Sequence, residues 1–200
     1  MKLYYSKGAC SLAVRITLHE IGIPCEFESV DLKTKQTQTG SDHLKTNPKG
    51  AVPALALDDG TVLTENIVIQ QYLAEKYQAH QLLPTPENFN RYRVLEWLSF
   101  VATDLHKNCT PFFIPQISEE TKEIYKKFLK NKLAFVDQHL SHHTYLAGDH
   151  FTLPDSYLFV VLRWMSHIGI SVAEYKNLSR FFDEVKNRKA VKQALEEEGL

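Results

Sequence analysis

The most reactive side chain near the start of the sequence is Cys10, which lies with Ser11 in the stretch SKGACSLA, between an apolar run and a predicted helix. Free N–H groups and the helix dipole at a helix start stabilise a thiolate of the protein or of a bound ligand. The pattern predicts a Cys10 pKa below its usual value, with the Ser11 hydroxyl as a further donor. The alternative is that Cys10 is a small buried hydrophobic side chain. Because residue 13 is alanine, redox chemistry at Cys10 would be monothiol chemistry.

Two further dipeptides in the first half of the chain could bind a peptide-like ligand. A cis Val52–Pro53 bond would leave the N–H and C=O of Val52 unpaired at a sheet edge, where a ligand can add as a strand. Glu65 and Asn66 open a predicted helix, whose N–H groups can hold a carboxylate while Glu65 holds an ammonium group. Each has a structural alternative, because prolines also begin strands and acidic residues also stabilise helix starts.

A polar stripe in the second half of the chain contains one histidine. Ser99, Thr103, His106 and Thr110 recur at helical spacing, so they are predicted to line one face of a helix beside a cleft. The alternative is a surface or internally bonded histidine. No histidine, cysteine or carboxylate cluster has the spacing of a metal site, and there is no phosphate loop or nucleophile elbow. We therefore expect no metal.

The elements that position these residues change in type along the chain. Short apolar runs and helical stripes in about the first 77 residues follow the order β-α-β-α-β-β-α, with Asp59-Gly60 as a hairpin turn. The stretch QAHQLLPTPEN has no periodicity and contains two prolines, which is typical of a linker. Only helices are predicted after it, at about 88–109, 119–141, 154–169, 175–187 and 190–197. We predict an α/β domain at 1–78, a linker at 79–87 and an all-α domain at 88–200.

One helix start in the second half is unusually well specified. In GDHFTLPDSYLF, Thr152 can cap the helix, and Asp155 three residues later can return the hydrogen bond. Pro154 fits the first turn, where its missing N–H needs no partner. We expect this motif to be structural.

Composition narrows the class of protein. The formal net charge of −1 gives no basic surface for nucleic acid or an anionic membrane. No apolar run reaches the length of about 18 residues that a spanning helix needs, and no signal peptide is predicted. The three widely spaced cysteines do not form a disulfide framework. These features favour a cytoplasmic protein.

Taken together, the motifs resemble the cytosolic glutathione transferases, and within that family the bacterial beta class most closely. The resemblance covers essentially the whole chain. It implies a thioredoxin-like, glutathione-binding N-terminal domain, an all-helical domain with a hydrophobic substrate pocket, and a homodimer. It rests on MKLYYSKGACSLA, NPKGAVPAL, LDDGTVLTENIVIQQYLA, YRVLEWLSFVATDLHK, GDHFTLPDSYLF and EEEGL.

The resemblance also implies roles for individual residues. Cys10, Ser11 and His106 would lie beside the glutathione sulfur. The other residues implied for the glutathione site are Lys35 at the glycyl carboxylate, Val52 and a cis Pro53 at the cysteinyl backbone, Glu65 and Asn66 at the γ-glutamyl end, Ser99 near His106, Asp104 toward the neighbouring subunit's glutathione, and Lys107. The residues expected to line the electrophile pocket are Phe112, Phe113, Ile114 and Trp164.

Two of these positions depart from the family pattern. Asn66 stands where a small residue is usual, so its side chain would crowd glutathione or add a contact. Ser99 replaces a common asparagine, which is expected to loosen the hydrogen bonds around His106. Both departures bear on glutathione affinity more than on the type of reaction.

The function implied is conjugation of reduced glutathione to small hydrophobic electrophiles in detoxification, with glutathione-dependent peroxidase activity left open. One alternative is a monothiol, glutathione-dependent disulfide reductase with Cys10 as its nucleophile. Another is a non-catalytic protein of the same fold that binds hydrophobic ligands or a partner.

Overall fold

The computed structural model describes residues 1–200, which form two compact units. The first unit contains Met1–His80 together with Arg188–Leu200, and the second contains Gln81–Asn187. The chain therefore returns to the first unit after completing the second, whereas the domain prediction kept residues 188–200 with the helical half.

The first unit is built on a four-stranded mixed sheet with strand order β2-β1-β3-β4. The strands are β1 (Lys2–Tyr5), β2 (Glu26–Ser29), β3 (Ala54–Ala56) and β4 (Val62–Thr64). β1 and β2 are parallel, and helix α1 (Ser11–Ile21) makes the crossover that such a pair requires. The other two pairs are antiparallel, and β3 and β4 form the hairpin predicted from Asp59-Gly60, with φ of 86° at Gly60.

The remaining helices of the first unit are α2 (His43–Thr46), α3 (Asn66–Lys76) and α9 (Lys189–Glu197). The core beneath the sheet contains Leu3, Val14, Leu18, Leu55, Ile69 and Leu73. Helix α1 packs against both α3 and α9, so it is buried on most of its faces. This explains why its apolar residues show no single stripe and fit a strand pattern as well as a helical one.

The second unit is helical apart from one bridge between Tyr145 and Gly148. Its first helix changes winding along its length: α4 (Asn90–Phe100) continues as a π-helix over Val101–His106, as α5 (Lys107–Cys109) and as a 3₁₀ turn over Thr110–Phe113. The other elements are α6 (Glu119–Leu140), α7 (Leu153–Ile168), a 3₁₀ turn at Val172–Glu174 and α8 (Lys176–Lys186). None of the helices combines the length and apolar character needed to cross a membrane.

Candidate active site

Ser11 closes the turn between β1 and α1. The Ser6 N–H donates to the Ser11 hydroxyl at 3.2 Å, and this hydroxyl donates back to the Ser6 carbonyl at 3.3 Å. The Ala9 N–H also donates to the Ser6 carbonyl, at 3.0 Å. The Ser11 side chain is fully buried, and its hydroxyl proton is donated within the turn. The hydroxyl therefore does not make the hydrogen bond to a ligand sulfur that the sequence led us to expect.

The backbone of Cys10 and Ser11 provides the donors that the Ser11 side chain does not. Along α1 the first internal bonds run from the Leu12 N–H to Ala9 and from the Ala13 N–H to Cys10. The preceding N–H groups of Cys10 and Ser11 have no carbonyl partner in the chain, and they act to lower the pKa of the Cys10 thiol. Such N–H groups at a helix start are suited to holding an anion.

The Cys10 thiol itself is protonated, contrary to the sequence prediction. Burial raises its pKa to about 12 and outweighs the hydrogen bonds from Asn66 and the two N–H groups, which act in the opposite direction. The thiol donates to the Val52 carbonyl at 3.3 Å. The helix-start prediction was wrong for this side chain because it left out the effect of burial, which disfavours the charged form of the thiol.

The Val52–Pro53 peptide bond is cis, as expected. The Val52 carbonyl, however, is not unpaired, because it accepts the Cys10 thiol. The Val52 N–H, by contrast, donates no hydrogen bond within the chain. This N–H is the backbone group that a ligand can pair with.

Side chains on both sides of the Val52 loop fix its path. The Ala51 carbonyl accepts hydrogen bonds from His43 Nε2 at 2.9 Å and from Asn47 Nδ2 at 2.8 Å. Lys35 Nζ donates to the Gly50 carbonyl at 2.8 Å, which places the ammonium group beside the same loop. Sequence reasoning missed both residues: Asn47 begins the stretch NPKG, and His43 lies four residues before it.

Glu65 adopts an unusual backbone conformation, with φ of 73° and ψ of 119°. Non-glycine residues rarely occupy this region, and those that do cluster at binding sites. Its carboxylate accepts a hydrogen bond from Lys49 Nζ at 2.5 Å. The first bonds of α3 run from Val68 and Ile69 to the Glu65 carbonyl, so the N–H groups of Asn66 and Ile67 are left for a ligand.

The Asn66 side chain belongs to a buried polar chain that the sequence did not predict. Asn66 Nδ2 donates to the Cys10 carbonyl at 2.6 Å, and Asn66 Oδ1 accepts from Gln70 Nε2 at 2.6 Å. Gln70 in turn bonds the Thr17 hydroxyl at 2.9 Å. The larger side chain at position 66 is thus used inside the unit, where it joins the start of α3 to the start of α1.

In the second unit, His106 lies at the end of the π-helix and contacts two aromatic side chains of α7. Its Nδ1 is hydrogen-bonded to the Tyr157 hydroxyl at 2.5 Å, and its ring meets the Trp164 ring edge-on at 4.9 Å between centroids. Burial and the neighbouring Lys107 charge lower the pKa of His106 to about 4. A neutral imidazole therefore prevails at pH 7.

Part of the helix that carries the predicted polar stripe is π-helical. π-Helical winding has i→i+5 hydrogen bonds, so the spacing that assumes an α-helix does not hold between Ser99 and His106. Ser99 and Thr103 are exposed, and the Thr103 hydroxyl donates to the Ser99 carbonyl at 3.0 Å. The His106 ring is held by Tyr157 instead, so Ser99 has no part in its hydrogen bonding.

Asp104 is engaged by the neighbouring helix α6. Lys132 Nζ bonds its carboxylate at 2.5 Å, and the Thr103 hydroxyl bonds it at 2.9 Å. The Lys132 hydrogen bond, which outweighs partial burial, holds the pKa of Asp104 below its usual value. Lys107 on the following turn is exposed.

An aromatic wall extends from His106 along α7. Phe113 meets Trp164 edge-on at 5.9 Å and stacks on His167 at 5.2 Å. Phe113 and Ile114 are exposed and Phe112 is partly buried. The predicted capping box at Thr152 and Asp155 is present, and it fixes the start of the helix that carries Tyr157 and Trp164.

The low pKa of His106 makes stability depend on pH. Because the folded pKa of about 4 lies below the ordinary value of 6.5, the unfolded state binds the proton more readily. The free energy of unfolding therefore decreases as the pH falls from 6.5 toward 4, and His106 contributes up to about 3 kcal/mol to this decrease. Urea unfolding of wild type and His106→Gln at pH 7 and pH 4 measures this decrease in the free energy of unfolding.

We expect a smaller decrease between pH 7 and pH 4 in His106→Gln than in wild type. The control is His142→Gln, at an exposed histidine, which should behave as wild type does. An equal decrease in all three proteins would contradict the role given to His106.

The first unit has a thioredoxin-like topology with a cis proline before β3, and the second unit is helical. This combination defines a class of two-domain proteins with a thioredoxin-like first domain. Residues 8–76 match the glutathione S-transferase N-terminal domain, and residues 96–189 match the glutathione S-transferase C-terminal domain. The chain belongs to the glutathione S-transferase family, and its activity is that of a glutathione transferase.

Individual relatives support this membership over the full length. The chain is 44% identical to glutathione S-transferase GstA of Escherichia coli O157:H7, with all of both chains covered. It is 42% identical to a sphingomonad glutathione S-transferase solved in complex with glutathione, with a TM-score of 0.96 and full coverage of both chains. The beta-class enzyme of Sphingomonas chungbukensis is equally similar, at 42% identity, a TM-score of 0.96 and full coverage of both chains.

Proposed function

We propose that this enzyme binds reduced glutathione in its first unit and conjugates it to small hydrophobic electrophiles. The observation that carries the proposal is the set of backbone N–H groups without an internal carbonyl partner, at Cys10 and Ser11, at Val52, and at the start of α3. Their spread along the first unit suits a tripeptide with an anionic sulfur, an extended backbone and an α-carboxylate. The glutathione complex of the sphingomonad relative supports the same ligand.

The charged side chains around these N–H groups suit the two ends of glutathione. Lys35 is a cation beside the Val52 loop and would bind the glycyl carboxylate. Glu65 would bind the γ-glutamyl ammonium, and the N–H groups of Asn66 and Ile67 would bind its carboxylate. Asp104 of the second unit is proposed to reach the glutathione of a neighbouring subunit, although in the monomer its carboxylate bonds Lys132.

In the reaction, the thiol of glutathione loses its proton to solvent, and its sulfur attacks an electrophilic carbon. The S–C bond forms as the leaving group departs with its bonding electrons. The N–H groups of Cys10 and Ser11 stabilise the thiolate. We propose that the neutral His106 is the catalytic side chain of the second unit, and that Phe112, Phe113, Ile114 and Trp164 bind the electrophile.

We further propose a cytoplasmic, homodimeric enzyme of detoxification. Apolar side chains exposed on α6, such as Ile124, Phe128 and Phe135, suit a subunit interface. The three cysteines are free, in keeping with a reducing compartment.

The alternative of a monothiol reductase requires a reactive Cys10 thiolate. The raised Cys10 pKa and the bond to Val52 argue against it. They favour a transferase in which the attacking sulfur is that of glutathione.

Conjugation by Cys10→Ala tests this choice. Because the substitution keeps the N–H of residue 10 and removes only the protein thiol, we expect kcat/KM with an activated chloronitrobenzene to stay within about threefold of wild type. Cys25→Ala, which removes another partly buried cysteine of the same unit, is the control. If Cys10→Ala loses conjugation, or if only wild type reduces glutathione mixed disulfides at a comparable rate, the reductase is the better description.

A further inference from the structure

The segment Glu197–Leu200 lies against the turn that carries Cys10, although the two are at opposite ends of the sequence. Glu198 Oε2 accepts a hydrogen bond from the Gly8 N–H at 2.8 Å. The Leu200 side chain packs over Gly8, since a Cβ at position 8 would meet it at 3.7 Å. Gly8 has φ of 69°, a conformation that side chains other than glycine rarely adopt.

Glu198 is itself held rigidly. Its side chain is 0% exposed, and its carboxylate pairs with Arg15, whose side chain is 2% exposed, at 3.1 Å. Arg15 also bonds Glu197 at 2.9 Å, and its guanidinium lies over the rings of Tyr5 and Phe27 at 4.3 and 3.8 Å. A carboxylate fixed in this way is a stationary acceptor for the Gly8 N–H.

The turn at Gly8 determines where the next backbone N–H groups of the chain lie. Gly8 is two residues before Cys10, inside the turn that the Ser6 carbonyl closes by accepting from Ala9. The two N–H groups at Cys10 and Ser11 come directly after that turn, so their directions depend on its position. Charge-assisted hydrogen bonds to a backbone N–H are among the stronger ones.

We propose that Glu198 is a positioning residue for the transferase reaction. By accepting from the Gly8 N–H, it sets the turn so that the N–H groups of Cys10 and Ser11 point at the glutathione thiolate. Glu198 acts on the sulfur only through the turn. The inference rests on the proposed function, because it assigns those N–H groups to glutathione.

The readout is the pKa of the bound glutathione thiol, followed by the ultraviolet absorbance of the thiolate as the pH is varied. With Glu198→Ala we expect this pKa to rise by about one unit, and kcat/KM below neutral pH to fall about tenfold. Glu197→Ala is the matched control, because it removes an Arg15 partner without touching Gly8. It should lower the melting temperature as Glu198→Ala does and leave the thiol pKa unchanged. Glu196→Ala, at an exposed residue, should change neither.

An unchanged thiol pKa in a folded, glutathione-binding Glu198→Ala would overturn the proposal, as would an equal rise in Glu197→Ala. Should Glu198→Ala fail to fold, Glu198→Gln keeps an acceptor oxygen without the charge and should raise the thiol pKa by a smaller amount. No rise in Glu198→Gln would then count against the proposal. A wild type that binds no glutathione would refute the proposed function instead.

Discussion

Replacing Arg15 with alanine is expected to lower the free energy of unfolding by about 3–5 kcal/mol. The guanidinium is buried between Tyr5 and Phe27 and is paired with Glu197 and Glu198. Its removal leaves the fully buried Glu198 carboxylate without a cation and also leaves a cavity between two aromatic rings. Both effects destabilise the first unit, and the desolvated charge is the larger of them.

Urea unfolding at pH 7, followed by circular dichroism, measures the Arg15→Ala effect. The control is Arg93→Ala, whose guanidinium pairs with Glu96 at 2.8 Å on the exposed surface of the second unit. Exposed pairs of this kind contribute about 0–1 kcal/mol. A loss below about 1 kcal/mol for Arg15→Ala would show that the buried pair is not needed for stability.

Glu65→Gln is expected to raise the KM for glutathione about 10- to 100-fold, with a much smaller change in kcat. The carboxylate is the anion proposed to bind the γ-glutamyl ammonium, and hydrogen bonds between charged groups are worth more than neutral ones. The ammonium lies far from the reacting sulfur along the tripeptide, so its binding is the same before and during the reaction. An interaction of that kind changes KM rather than kcat.

Steady-state kinetics with glutathione varied at saturating electrophile measures the Glu65→Gln effect. Glu26→Gln is a suitable control, since Glu26 is another exposed acid of the same unit, 3.7 Å from Lys2. A KM within about twofold of wild type for Glu65→Gln would refute the assigned role, and a selective fall in kcat would place Glu65 nearer the reacting atoms.

Local signals were sufficient for much of the fold. The Asp59-Gly60 turn and the capping box at Thr152 depend on neighbours within a few residues, and both are present. The cis bond before Pro53 is also present, but it was expected from the resemblance to the family and not from the residues alone.

The features that were missed depend on residues distant in sequence. Burial raises the pKa of Cys10, and its thiol donates to the Val52 carbonyl, 42 residues away. The side chain of Asn66 bonds the Cys10 carbonyl, 56 residues away. The π-helical winding of Val101–His106 was also missed, because the hydrophobic pattern does not distinguish i→i+5 from i→i+4 hydrogen bonding. Pattern reasoning therefore did not reveal the protonation states of Cys10 and His106, because these depend on burial.

The position of α9 in the first unit has a consequence for how the chain folds during its synthesis. The strands and helices up to residue 80 leave the ribosome first, but Arg15 meets its two carboxylate partners only when residues 197 and 198 emerge. Until then one face of α1 has no helix against it, and the turn at Gly8 lacks its acceptor. The first unit is thus the first to be synthesised but the last to complete its fold. We expect ribosome-bound chains truncated before residue 188 to be poorly retained on immobilised glutathione.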